Sequence, residues 1–121
     1  MVGTLAGMRI PEPTFFILTA LADRPMHGYG VMLATRELSG GRLNLRPGTL
    51  YAALDRLAED GLLAVDREEA VDGRLRRYYR LTDAGAATLQ AEVAQLRTNA
   101  SIAAGRLRAR GAFSRAVVGA A

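Results

Sequence analysis

"RPGTLYAALDRLAEDGLL", residues 46–63, decides the fold. Leu50, Ala53, Leu54 and Leu57 recur at i, i+3, i+4 and i+7, which aligns them along one stripe of an α-helix turned toward a core. Pro47 suits a first helical turn, where its missing N–H is no loss, and Gly61 offers the left-handed residue that ends a helix. The opposite face is then fixed as Thr49, Ala52, Asp55, Arg56 and Glu59, with Tyr51 at the flank. Small residues near the N-terminus and an arginine further on let a helix lie close against another surface, as insertion into a DNA major groove requires. An ordinary amphipathic surface helix has the same pattern, so its neighbours must decide.

Upstream, "PEPTFFILTALADRP" predicts a short buried helix that opens at Pro13 and closes before Pro25, with Phe15, Leu18 and Ala22 on one side and Ile17 and Leu21 beside them. A second helix is expected from about His27 to Ser39, stopped by Gly40-Gly41, and "RLNLR" forms a short extended link to the third. Downstream, "LLAVDREE" and "RLRRYYRL" flank Asp72-Gly73, a strong signal for a two-residue hairpin turn because both residues tolerate positive φ. That loop sets Glu68 opposite Arg77, Glu69 opposite Arg76, and Val65 opposite Arg80. A one-residue slip pairs Val65 with Leu81 instead and exchanges the faces, so the register stays open. Of Tyr78 and Tyr79, which alternate, one belongs to the core. Three helices followed by a hairpin bearing Arg74, Arg76, Arg77 and Arg80 make a winged helix-turn-helix layout.

After the hairpin, Thr82 is a good N-cap, and Ala86, Leu89, Val93, Leu96, Ala100, Ala103 and Leu107 follow at alternating spacings of three and four. Such a heptad seam fits packing against a second copy of the chain, with Leu89, Val93, Leu96, Ala100, Ala103 and Leu107 as dimer residues. Packing against the first helix uses the same seam. The fold class is therefore mainly α with a small β-hairpin, a winged helix-turn-helix plus a long C-terminal dimerisation helix. In segments, the expectation is a flexible extension over 1–12, the winged domain over 13–82, the long helix over 83–110 and a poorly ordered tail over 111–121.

Composition narrows the function. The chain has 121 residues, half of them apolar, as befits one domain with a modest core. Without cysteine it has no disulfide, thiolate metal site or cysteine nucleophile, and it fits a cytoplasmic protein. No run approaches the length of a membrane span. Sixteen basic residues, all arginine, against twelve acidic ones leave a net charge of +4. Acids gather between Glu59 and Asp72, whereas residues 74–80 hold four arginines and no acid. His27, the single histidine, stands at a helix start with no nucleophile near it, and there is no metal-ligand spacing or glycine-rich phosphate loop, which argues against an enzyme and against any cofactor or metal. A winged helix serving as a protein-interaction module without its own operator is the alternative function; the wing arginines count against it.

Three segments in order, "HGYG" opening the second helix, "PGTLYAALDRLAEDGLL" across the third, and "RRYYRLTDAG" joining wing to long helix, resemble the PadR family of transcriptional regulators over about residues 9–107. The resemblance implies a dimeric winged-helix repressor that binds double-stranded DNA at a pseudo-palindromic operator through its third helix and wing. By position it implies DNA contacts from Thr49, Tyr51 and Arg56 on the recognition helix, from Gly48 at its close-approaching start, from Tyr29, and from Arg74, Arg76 and Arg77 on the wing. Arg46 departs from the family pattern, which often has a capping serine or threonine there. Losing such a cap costs about 1 kcal/mol, so either another group caps the helix or an Arg46 phosphate contact outweighs the loss. The resemblance further implies a small aromatic or drug-like effector, for which Phe15, Phe16, Leu89 and Val93 are the candidate pocket, and Met8 as an alternative start.

Overall fold

The stretch 46–63 folds as its period requires. In the computed structural model, which describes residues 10–120, Pro47–Glu59 is helical, with Leu50 and Leu54 fully buried, Leu57 buried and Ala53 partly buried against them. Gly61, at φ 78°, reverses the chain after it, and Leu62 N–H returns to Leu57 O at 2.9 Å. The element order is α1 (Glu12–Ala20), β1 (Met26–His27), α2 (Gly28–Leu38), α3 (Pro47–Glu59), β2 (Leu63–Val71), β3 (Arg74–Leu81) and α4 (Asp83–Ala120). Ile17, Leu18 and Leu21 from the α1 segment, Val31 from α2, Leu50 and Leu54 from α3 and Leu63 from β2 form a fully enclosed core, closed on the sheet side by Tyr79. Each such aliphatic side chain contributes about 1.5–3 kcal/mol by leaving water. Tyr79 is thus the core member of the tyrosine pair, and Tyr78 is half-buried.

α1 stops at Ala20, a turn before Pro25, so Ala22 is exposed and takes no part in the expected apolar face. The residues released by that early stop lead into β1, a two-residue strand the sequence reading lacked. β1 completes an antiparallel sheet of order β1-β3-β2, pairing Met26 with Tyr79 and His27 with Tyr78. The turn after α2 uses Gly40 and Gly41 at φ 67° and 85°, and Ser39 Oγ donates to Arg36 O while accepting from Leu43 N–H.

The hairpin resolves the open register in a way neither alternative described. At the tip, Asp72 (φ 51°) and Gly73 (φ 76°) make the two-residue turn, and Glu68 faces Arg77 while Glu69 faces Arg76. A bulge between Val65 and Arg67 then shifts the pairing by one residue, so that Val65 meets Tyr79 and Leu63 meets Leu81. With Asp66 as the extra residue, Leu63 aligns with the core-facing Tyr79 and Leu81, while the charged tip keeps its own alignment.

Thr82 caps α4 as its type predicts: Gly85 N–H donates to Thr82 Oγ1 at 3.0 Å, and that hydroxyl donates to Gly61 O at 2.6 Å. Gly85 is obligatory here, because a Cβ would run into the Leu62 carbonyl and stand 2.7 Å from Leu81 Cδ1.

The chain divides after Gln90 into two compact units. Residues 91 onward, taken alone, are a single helix that continues through Gly105 and Gly111 to Ala120, past the expected helix end at residue 110. The interior glycines cost about 1 kcal/mol each, but 111–120 contains no proline and a majority of alanine, valine and arginine. At the other end, Ile10 is buried and α1 begins at Glu12, so the folded region starts earlier than 13; the rest of the expected extension, with Met8, lies outside the described residues. No helix among the described residues is long and apolar enough to cross a membrane.

Candidate nucleic-acid interface

α3 presents three exposed strips. At about 100° per residue, Gly48, Ala52, Asp55 and Glu59 run along the middle, Tyr51 lies on one flank, and Thr49 and Arg56 on the other; all are exposed. The N-terminus is uncapped: Arg46 occupies the capping position, with extended backbone (φ −75°, ψ 150°) and no side-chain hydrogen bond to the helix. With Pro47 at the first position, the amides of Gly48 and Thr49 remain at the positive end of the helix dipole.

The Tyr51 flank turns toward the wing. An open cleft of about 790 Å³ runs between them, lined by His27, Gly28, Tyr29, Tyr51 and Asp55 on one side and by Val71, Asp72, Arg74, Leu75, Arg76, Arg77 and Tyr79 on the other. Five expected contact residues thus meet in one place: Tyr29, Tyr51, Arg74, Arg76 and Arg77. Gly48, Thr49 and Arg56 line a shallower recess of about 430 Å³ with Thr14, Ala52, Ala53 and Leu57. Arg56 forms no ion pair with Asp55 or Glu59.

Gly28 explains why two motifs distant in sequence belong together. A Cβ at Gly28 would stand 2.7 Å from Tyr51 Cζ and equally close to its hydroxyl oxygen, so the start of α2 has room for the Tyr51 ring only because residue 28 has no side chain. Tyr51 nevertheless stays 46% exposed and Tyr29 56%, which makes Tyr29 a surface residue and not part of the core.

The wing arginines are not equivalent. Arg77 Nε donates to Glu68 at 3.1 Å, and that carboxylate raises its pKa. Arg67 is held by Glu69 and Asp66, both at 3.2 Å, and its guanidinium lies 3.9 Å over the ring of Tyr78, its cross-strand partner. Tyr78 first, and then the hydrogen bond from Arg67, hold the Glu69 carboxyl below the usual range. Arg80 approaches Asp66 at 4.0 Å. Among the described residues Arg74 and Arg76 enter no ion pair and remain open to an anion.

His27 is one of the cleft residues that sequence reasoning did not assign to the interface. It sits at the N-cap position of α2 without capping it, 5.4 Å ring to ring from Tyr78 and 6.5 Å from Tyr29. Desolvation and then the nearby Arg76 charge push its pKa down, so it is neutral at pH 7. Its place follows from β1, which no local pattern announces.

Three of the expected effector residues already make contacts within the fold. Phe15 and Leu89 pack against the core, and Phe16 stacks edge-on with Phe15 at 5.3 Å, with the Arg42 guanidinium 5.9 Å from its ring centre. Of the remaining seam residues, Val93 and Leu96 are half-buried and Ala100, Ala103 and Leu107 exposed. Ile102, Phe113, Val117 and Val118 are large exposed apolar residues outside the expected heptad seam. Among the described residues no cluster of histidine, aspartate or glutamate could hold a metal.

Comparison with known proteins adds an independent line. Residues 17–91 match the family described as Transcriptional regulator PadR-like. A curated transcriptional regulator of Mycobacterium tuberculosis is 49% identical over 73 residues, 60% of this chain; the match spans 64% of that relative's length. The fold is similar to a PadR family transcriptional regulator of Eggerthella lenta, with TM-score 0.62 and 28% identity over 78% of this chain and 80% of that one. It is also similar to Bacillus subtilis PadR in complex with operator DNA, with TM-score 0.57 and 23% identity over 64% of this chain and 44% of that one.

Proposed function

Since the chain belongs to the PadR-like family of transcriptional regulators, we propose that it is a dimeric, sequence-specific DNA-binding repressor whose α3 enters the major groove and whose wing lies on the flanking backbone. The observation that carries this reading is the cleft between α3 and the wing, where Tyr29, Tyr51, Arg74 and Arg76 converge on one open face with two guanidinium groups uncommitted. Gly48 and Ala52 keep the leading surface of α3 slim, which suits close approach to base edges. Arg46 and the free amides behind it suit a phosphate at the helix start, and this offsets the missing cap. The likeness of fold to a regulator solved in complex with operator DNA supports DNA as the partner.

In this reading Leu89, Val93, Leu96, Ala100, Ala103 and Leu107 pair two copies, and a twofold dimer reads half-sites about 34 Å apart. A small aromatic effector that alters the spacing of the two heads would release the operator. Phe15, Phe16 and Leu89, and Val93 considered by itself, are the candidates for its contacts, and a melting temperature raised by such a compound and unchanged by unrelated ones supports that role.

The deciding experiment is selection from random duplexes by the purified protein at about 0.15 M salt, a condition at which charge-driven binding is already weakened. Enrichment of an inverted repeat with half-sites one helical turn apart is the expected result. Retention of all sequences alike, with steep salt dependence, counts against sequence reading and favours the interaction-module alternative.

A further inference from the structure

Asp55 is out of place in a phosphate-binding surface. It lies on the midline of α3, one turn beyond Ala52, and lines the cleft opposite Arg74, Arg76 and Arg77. It is exposed, and it forms no ion pair or hydrogen bond among the described residues, although Arg56 is its neighbour and two wing arginines are uncommitted. A carboxylate there weakens attraction to any duplex, because it repels phosphate. The groups of DNA that reward it are hydrogen-bond donors on base edges, which in the major groove are the exocyclic amines of cytosine and adenine. Adenine offers its N6 amine beside the N7 acceptor, so the second carboxylate oxygen meets a lone pair. Cytosine offers N4–H₂ beside a C–H. The short, stiff aspartate side chain, behind the slim Gly48–Ala52 surface, is suited to that single donor.

Resting on the DNA-binding reading above, we propose that Asp55 is a specificity-determining residue that accepts a hydrogen bond from a cytosine N4 amine and so fixes a G·C pair at one position of each half-site. The carboxylate then acts in two ways. Its repulsion of phosphate weakens binding to every duplex alike, and one hydrogen bond offsets that loss at the correct site only.

The test repeats the duplex selection with wild-type protein, Asp55→Ala and Asp55→Asn, and measures each protein's binding to a fixed random-sequence duplex. Wild type is expected to prefer cytosine about tenfold at one position per half-site. Asp55→Ala should lose the preference at that position alone while binding the random duplex more tightly than wild type. Asp55→Asn should change the preferred base from cytosine to adenine, because an amide pairs with N6 and N7 together. Since Asp55 is exposed and holds nothing in the fold, both variants should melt as wild type does. Unchanged base frequencies in both variants overturn the inference while leaving the DNA-binding reading intact, as does a uniform loss at all positions. A wild-type protein that enriches no repeat overturns both.

Discussion

The pairing of Arg77 with Glu68, set against the free Arg74 and Arg76, makes a quantitative prediction for DNA binding. Each phosphate contact contributes about 0.9 to the slope of log K against log salt concentration. Between 50 and 200 mM salt, a fourfold change, one contact therefore accounts for about 3.5-fold of the fall in affinity. Arg76→Ala should lower the slope by about one contact, and Arg74→Ala likewise, for any duplex sequence. Arg77→Ala should lower it by clearly less, because Glu68 already holds that guanidinium at 3.1 Å and a phosphate must displace it. Glu68→Ala has the opposite sign. It frees Arg77, and affinity for any duplex should rise, with a steeper salt dependence. Fluorescence anisotropy of a labelled random duplex, titrated at five or six salt concentrations, reads all four slopes. Equal flattening by Arg76→Ala and Arg77→Ala, with no gain from Glu68→Ala, refutes the idea that ion pairs within the wing decide which arginines meet DNA.

Other consequences follow from the same geometry. Gly28→Ala should displace the tip of the Tyr51 side chain without unfolding the protein, so its loss of operator affinity should match that of Tyr51→Ala, and the double variant should be no worse than either; additive losses would separate the two residues. Gly85→Ala meets the rigid Leu62 carbonyl and should cost about 1–3 kcal/mol in denaturant unfolding, the range for overpacking. His27 has a lowered pKa in the fold, so the unfolded chain binds its proton more readily. Stability is then complete above pH 6.5 and declines as pH falls through the lowered value; His27→Gln should lack that step in melting temperatures between pH 8 and pH 5. Leu96→Glu should give monomers in sedimentation if the heptad seam pairs two copies, and an unchanged dimer would place the interface elsewhere.

What the sequence disclosed and what it withheld divide along a physical line. The core stripe of α3, the Thr82 cap and the Asp72-Gly73 turn each depend on residues within a few positions of one another, and all three form as read. β1 was illegible because two residues carry no period, and Met26 and His27 become a strand only when β3 passes beside them. The bulge at Asp66 was illegible for a related reason. At the tip the turn dictates the alignment, at the base the burial of Leu63 and Tyr79 dictates another, and the conflict is invisible until both strands are placed. The inequality of the wing arginines depends on that register, since a slip by one residue would have given Glu68 a different partner.

The bulge therefore links the core to the functional surface. It lets a nine-residue strand obey the hydrophobic demand at one end and the turn at the other, and the outcome sorts the charges. Glu68 takes Arg77, Glu69 and Asp66 take Arg67, and Arg74 and Arg76 are left open. Acidic residues that in composition seem to cancel the wing's charge instead determine where it acts. On the helix side, Gly28 makes room for Tyr51, so the flank of α3 facing the wing is set by contact with α2 and not by α3 alone. The two sides of the cleft are thus each fixed by a residue outside the recognition helix, and Asp55, between them, is left with no partner of its own.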